Sequence, residues 1–236
     1  MTPPPFQLFG TAHLVAIGAA VAVPAALSVA VRRRGSERAA RAACVSLATV
    51  ILGNQVAYWI FRFVTVGGET FAREHLPLHL CGVSVLLSVA TLLFRRRLTY
   101  ELVYFWGLAG ASNAMVTPEL AEGFPDYRFF QFFVSHAGIV ASAIFATWGL
   151  GMRPTFMSLV RAFAGLNVLA VAVTPVNLAL DANYMYLCEA PDTASPFLFL
   201  PWPWYILWLE GLALAFFVAL YLPVRLARRR AYDRER

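Results

Sequence analysis

The sequence predicts an all-α polytopic membrane protein: a single domain over residues 1–236, built as a seven-transmembrane helix bundle with the N-terminus outside and the C-terminus cytoplasmic. Three observations predict it. Sixty per cent of the 236 residues are hydrophobic and only 14% charged, a composition outside the range of ordinary soluble domains. Seven stretches approach or exceed the roughly 20 apolar residues that a helix needs to cross a bilayer. The basic residues gather in alternate connections between those stretches, as they do when cytoplasmic loops retain positive charge.

The first stretch, 11–31, has no positive charge before it and three arginines after it, the reverse of a secretory signal, so it reads as a retained helix. The second, 42–66, carries Asn54, Tyr58 and Arg62 at a spacing of four, which places them on one face. The third, 76–94, opens with "EHLPLHLCGVS" and then repeats small polar residues at Cys81, Ser84, Ser88 and Thr91, a stripe at helical spacing. The fourth, 99–117, holds Asn113 with Gly107 and Gly110, which permit close helix contact. The fifth, 128–149, combines Gln131 and His136 with Phe129, Phe130, Phe132 and Phe133. The sixth, 156–177, presents Asn167, Thr174 and Asn177 along one side, and the seventh, 204–224, contains Glu210. The long connection before it, "DANYMYLCEAPDTASP" and then "LPWPWYI", is broken by prolines and rich in the aromatic residues that collect at a water–lipid boundary.

All nineteen basic residues are arginine. Arg32, Arg33, Arg34, Arg38 and Arg41 follow the first stretch, Arg95, Arg96 and Arg97 the third, and Arg153 and Arg161 flank the start of the sixth. Arg225, Arg228, Arg229, Arg230, Arg234 and Arg236 follow the seventh. The other connections hold Arg73 and Arg128 among Glu69, Glu74, Glu119, Glu122, Asp126, Asp181, Glu189 and Asp192, which sets the orientation. The net charge of +6 is thereby explained by topology and by contact with anionic headgroups, and nucleic acid is not an expected partner. Three cysteines make no disulfide framework, although Cys81 and Cys188 fall toward the same side and leave a thiol-redox role open.

With that orientation, Cys81 and His136 sit roughly 8 to 12 Å below the outer surface, at matching depth on two different helices. A thiol becomes a strong nucleophile when a neighbouring histidine takes its proton, so the pair is a candidate catalytic unit; the alternative is that Cys81 merely fills the core. Asn54, Tyr58, Asn113, Gln131, Asn177, Arg62 and Glu210 are costly in lipid and are expected to face a polar cavity opening outward. Arg62 and Glu210 suit either a structural ion pair or, for Arg62, the capture of a lipid phosphate. Asn113, Gln131 and Asn177 suit either interhelical hydrogen bonding or donation to an oxyanion. The set His75, His79 and His136 has a zinc-like spacing but no acidic second shell beyond Glu74, so no metal and no cofactor is expected.

The segments "LPLHLC" at 76–81, "NYMYL" at 183–187 followed by Pro191, and "PWPWYI" at 201–206 together resemble the YwaF-type bacterial integral membrane family. That family is related to animal transmembrane protein 164 and more distantly to androgen-induced membrane hydrolases. The likeness runs from the second helix through the seventh, with Leu200 standing where the family often has glycine. The resemblance implies a phospholipid acyltransferase that uses a cysteine, falling on Cys81, and a histidine, falling on His136 in "FFVSHAG". The expected activity is lipid acyl transfer, or lipid ester hydrolysis, through an acyl-cysteine, with phospholipid and lyso-phospholipid as substrates and the plasma membrane as location. The alternative is a transporter or sensor binding a polar ligand in the outward cavity.

Overall fold

The computed structural model describes residues 4–190 and 200–234; Pro191, Asp192 and Arg236, which enter the arguments above, lie outside them. The described residues form helices in each predicted stretch and contain no strand, only one isolated bridge between Pro5 and Glu122. In chain order the helices are α1 (Thr11–Arg34), α2 (Glu37–Glu74), α3 (Leu80–Phe94), α4 (Arg97–Leu102), a π-helix (Val103–Ala111), α5 (Ser112–Val116), α6 (Tyr127–Ile144), a second π-helix (Phe145–Gly149), α7 (Phe156–Leu180), a 3₁₀ turn (Tyr184–Tyr186) and α8 (Trp204–Arg234).

Local chemistry sets the boundaries. Gly35 ends α1 in the left-handed conformation, its N–H reaching the carbonyls of Val31 and Arg32, and Ser36 then caps α2 by accepting from the Ala39 N–H. Gly67, at φ 80° and ψ 167°, interrupts α2 where the predicted span ends, and the chain continues as a short helical extension to Glu74. Thr155 and Ser158 form a reciprocal capping box at the start of α7.

Among the described residues five helical segments are long and apolar enough to cross a membrane: Thr11–Arg34, Glu37–Glu74, Tyr127–Gly149, Phe156–Leu180 and Trp204–Ala227. The other two predicted stretches differ. The third starts at Leu80 rather than residue 76, because Pro77 cannot continue the hydrogen-bond ladder and the chain folds back through Leu78 N–H to the Leu76 carbonyl. Its 15 residues rise only about 22 Å. The fourth is one continuous rod whose middle is a π-helix. A Cβ on Gly107 in that segment would meet Ile139 Cγ2 of α6 at 2.6 Å, so the close approach of the two rods requires glycine.

Two buried clusters join the rods. Ala20, Cys44, Ile51, Val85, Phe133 and Ile139 knit α1, α2, α3 and α6. Tyr100, Phe105, Trp106, Leu159 and Phe217 gather α7 and α8 around α4 and the longer π-helix. Outward-facing Val64, Val168, Val171, Leu178 and Leu207 remain exposed, the surface of a body solvated by lipid.

The ends of the bundle are tied separately. At the amino-terminal end, Phe6 N–H donates to the Ala121 carbonyl at 2.8 Å and Arg73 lies 3.6 Å from Asp181, so the chain start and the connections after α2, α5 and α7 meet there. At the opposite end Glu101, fully buried, accepts from Arg97 Nε at 2.9 Å, Ser158 Oγ at 2.7 Å and Arg161 at 2.9 and 3.0 Å, fastening α4 to α7.

Candidate active site

Because α3 begins at Leu80, Cys81 lies in its first turn. The first turn of a helix has backbone N–H groups without intrahelical partners. Here the N-cap residue, His79, supplies no side-chain cap, the first turn-closing bond is Val83 N–H to the His79 carbonyl, and the amides of Leu80, Cys81 and Gly82 donate to none of the described residues. Gly82 lets the 75–79 fold-back press on this turn: a Cβ there would come within 3.0 Å of Pro77 Cα. One turn further along the predicted stripe, Ser84 is 1% exposed and its hydroxyl has no partner, whereas Ser88 and Thr91 bond back to the Ser84 and Leu87 carbonyls. Cys81 therefore occupies the positive end of a helix whose first-turn amides are unused.

His136 comes from α6, which packs directly against α3. Its Nδ1 lies 2.8 Å from the Phe132 carbonyl oxygen, and since a carbonyl can only accept, Nδ1 carries the proton. The neutral ring consequently presents Nε2 as a lone-pair acceptor. The ring also lies against Phe132, with centroids 4.1 Å apart, which limits its rotation. Cys81 and His136 are both half-buried. Cys81 is a free thiol and makes no hydrogen bond to His136 in this resting arrangement. Cys44 and Cys188 are also free, so Cys81 and Cys188 are not bridged.

The remaining polar residues separate into groups. Asn177 is spent on structure: its amide donates to the Tyr184 carbonyl and accepts from the Tyr184 N–H. Asn113 donates to the Ala109 carbonyl on its own rod. Gln131 accepts from Arg128 at 2.6 Å through its side chain, and its carbonyl accepts from Asn54 at 3.1 Å, which couples α2 to α6. The Tyr58 hydroxyl lies 3.3 Å from His75 Nδ1. Arg62 and Glu210 form no ion pair: Glu210 accepts from Asn167 at 3.0 Å between α7 and α8, while Arg62 stays on α2 with its guanidinium carbon 5.8 Å from the Tyr58 ring centre. His75, His79 and His136 form no three-residue cluster among the described residues.

The connection after α7 supplies groups that spacing alone did not single out. The Tyr184 hydroxyl accepts from Leu76 N–H at 3.0 Å and donates to the Ala72 carbonyl at 2.8 Å, holding the fold-back beside α3. His79 Nδ1 accepts from Met185 N–H at 3.2 Å. Tyr186 reaches Glu119 at 3.4 Å; burial first, then the Glu119 carboxylate, push its phenol above the ordinary range and keep it neutral. The Tyr205 hydroxyl donates to the Tyr186 carbonyl, and the Trp202 indole to that of Leu187. The "NYMYL" segment thus packs against the fold-back and His79 ahead of α3, and the "PWPWYI" segment is tied to it in turn. Tyrosines in a loop carried no periodic signal; Ser84 did, as a member of the α3 stripe, but its lack of a partner is visible only in three dimensions.

Residues 8–221 match the model of the TMEM164 family. An uncharacterized protein of Treponema pallidum (strain Nichols) is 28% identical over 157 residues, which make up 65% of this chain and 63% of that protein, so the match spans just under two thirds of the relative's length. No solved structure matches the chain. With the family match running from ahead of α1 into α8, the chain belongs to the TMEM164 family.

Proposed function

We propose that this protein is a seven-span enzyme of the plasma membrane, amino terminus outside, that transfers a fatty acyl group between phospholipids through a thioester on Cys81. The observation that carries the reading is the state of His136: with its Nδ1–H held by the Phe132 carbonyl, Nε2 is the free base on a helix packed against the one that carries Cys81 in its first turn. In the first half-reaction His136 Nε2 takes the thiol proton, sulfur forms a bond to the ester carbonyl carbon, and the carbon–oxygen ester bond breaks as His136 returns the proton to the departing lyso-lipid alkoxide. In the second, His136 deprotonates the acceptor hydroxyl, whose oxygen attacks the thioester and releases the thiol.

The negative oxygen that forms at each addition needs donors. The amides of Leu80, Cys81 and Gly82 and the Ser84 hydroxyl suit that role better than the Asn113 and Asn177 side chains, whose NH2 groups already donate to the Ala109 and Tyr184 carbonyls, while Gln131 meets Arg128 through its oxygen and keeps its NH2 as a further donor. One such donor contributes about 3 kcal/mol in a water-poor site. A site within the bilayer is poor in water, which favours transfer over hydrolysis.

Intact-protein mass after incubation with defined phospholipids tests the reading. An acyl-sized adduct is expected on the wild type, absent in Cys81→Ala and slow to form in His136→Ala, with new phospholipid rather than free fatty acid as the product. No adduct on the wild type, together with solute uptake into proteoliposomes that Cys81→Ser leaves intact, would replace it with a transporter.

A further inference from the structure

The amino-terminal end of the bundle holds a second, strongly cationic cluster beside the Cys81 site. Arg62 of α2 and Arg128 of α6 converge on the Tyr58 ring, their guanidinium carbons 5.8 and 5.2 Å from its centre. Among the described residues neither is in a salt bridge with a carboxylate; Arg128 uses one donor on Gln131, and the Nε of Arg62 is buried without a partner. His75 closes the cluster. Its Nδ1 faces the Tyr58 hydroxyl at 3.3 Å, so with that hydroxyl as donor the ring proton resides on Nε2, which is buried and has no acceptor; the nearest carboxylate oxygen, of Glu74, is 3.8 Å away.

A structural cation–π arrangement accounts for only part of this. One such contact contributes about 1 kcal/mol, while each buried donor left unsatisfied costs about 1–3 kcal/mol and two guanidiniums at one ring repel each other. An anion removes all three costs at once. Two planar forks and a third donor from another direction match a tetrahedral oxyanion, which offers acceptor oxygens on several sides, better than a planar carboxylate.

We propose that Arg62, Arg128 and His75 form a receptor for a phosphate group, the Tyr58 ring holding the two guanidiniums in position. The receptor deepens the acyl-transfer reading by naming the group that anchors the lipid, and rests on that reading only for its purpose. On α6 Arg128 precedes His136 by eight residues, an axial rise of about 12 Å, so a phosphate at the rim leaves the ester-bearing part of the same lipid deeper in the bundle, toward His136.

Native mass spectrometry of the Cys81→Ala protein, which cannot form the thioester, separates binding from chemistry. With phosphatidylglycerol, diacylglycerol of the same tails, and the free fatty acid offered at equal concentration, phosphatidylglycerol is expected to be retained at least tenfold over the other two. Arg62→Gln combined with Arg128→Gln should erase the preference, His75→Gln should weaken it, and Arg225→Gln on α8 should leave it unchanged; melting temperatures within a few degrees of the parent establish that the variants fold. Binding of inorganic phosphate with no preference among the lipids, lost in the double arginine variant, supports the receptor with a soluble ligand as its source. Equal retention of all three lipids without phosphate binding, or a preference that survives the double variant, overturns it. A receptor that persists in a wild-type protein forming no acyl adduct would stand while the acyl-transfer reading fell.

Discussion

Asn177 and Tyr184 exchange two hydrogen bonds across the end of α7, the Asn177 amide donating to the Tyr184 carbonyl at 3.0 Å and its oxygen accepting from the Tyr184 N–H at 2.9 Å. Asn177 is 1% exposed and Tyr184 fully buried, so neither backbone group has water as a substitute partner. Asn177→Leu, similar in volume, should cost about 3 kcal/mol by leaving both groups unsatisfied. Thermal unfolding in detergent measures it, and Asn177→Asp, which keeps the acceptor, should lose less.

Ser84 offers the opposite case, since its buried hydroxyl has no partner to lose. Ser84→Ala should leave the melting temperature unchanged or slightly raised. If the hydroxyl serves the reacting carbonyl, the same variant should lower kcat about tenfold or more with little change in KM. A normal kcat would restrict the oxyanion donors to the backbone amides.

Glu101 accepts four hydrogen bonds from Arg97, Ser158 and Arg161 while fully buried. Glu101→Ala should destabilise the protein by about 3 kcal/mol, because it breaks a buried charge network from its centre. Arg161→Ala should cost less, since its side chain is about half exposed and the carboxylate keeps Arg97 and Ser158. Chemical denaturation of the three proteins in one detergent gives the comparison, and adduct formation at Cys81 should survive wherever the fold does.

His75 makes stability depend on pH. Burial first, then the positive charge of Arg62, lower its pKa from the ordinary value of 6.5, with Glu74 opposing. The folded state therefore binds this proton less readily than the unfolded chain, and stability rises with pH wherever the unfolded chain holds the extra proton. The contribution is complete above about pH 6.5 and is lost as the pH falls from there toward the folded value. His75→Gln should flatten the melting temperature between about pH 7 and 5. Bound phosphate should have the reverse effect on the wild type, because an anion beside the imidazole favours its protonated form.

The positions of the helices were legible in sequence because the period and length of apolar runs are local properties: the predicted starts at 11, 128, 156 and 204 fall within one residue of α1, α6, α7 and α8. The end predicted at 66 falls beside the break at Gly67. The family was legible too, since "LPLHLC", "NYMYL" and "PWPWYI" are contiguous segments, and residues 8–221 match the TMEM164 family.

Partnership was not legible. Spacing placed Asn177, Arg62 and Glu210 among polar faces, but only the folded chain binds Asn177 to a loop seven residues on, gives Glu210 to Asn167, and leaves Arg62 to share the Tyr58 ring with Arg128. Likewise the later start of α3, which puts Cys81 in an uncapped first turn, follows from Pro77 folding back over Gly82. A side chain's partner depends on which helices become neighbours and how each is rotated, and that is decided by packing of the whole bundle rather than by any stretch of sequence.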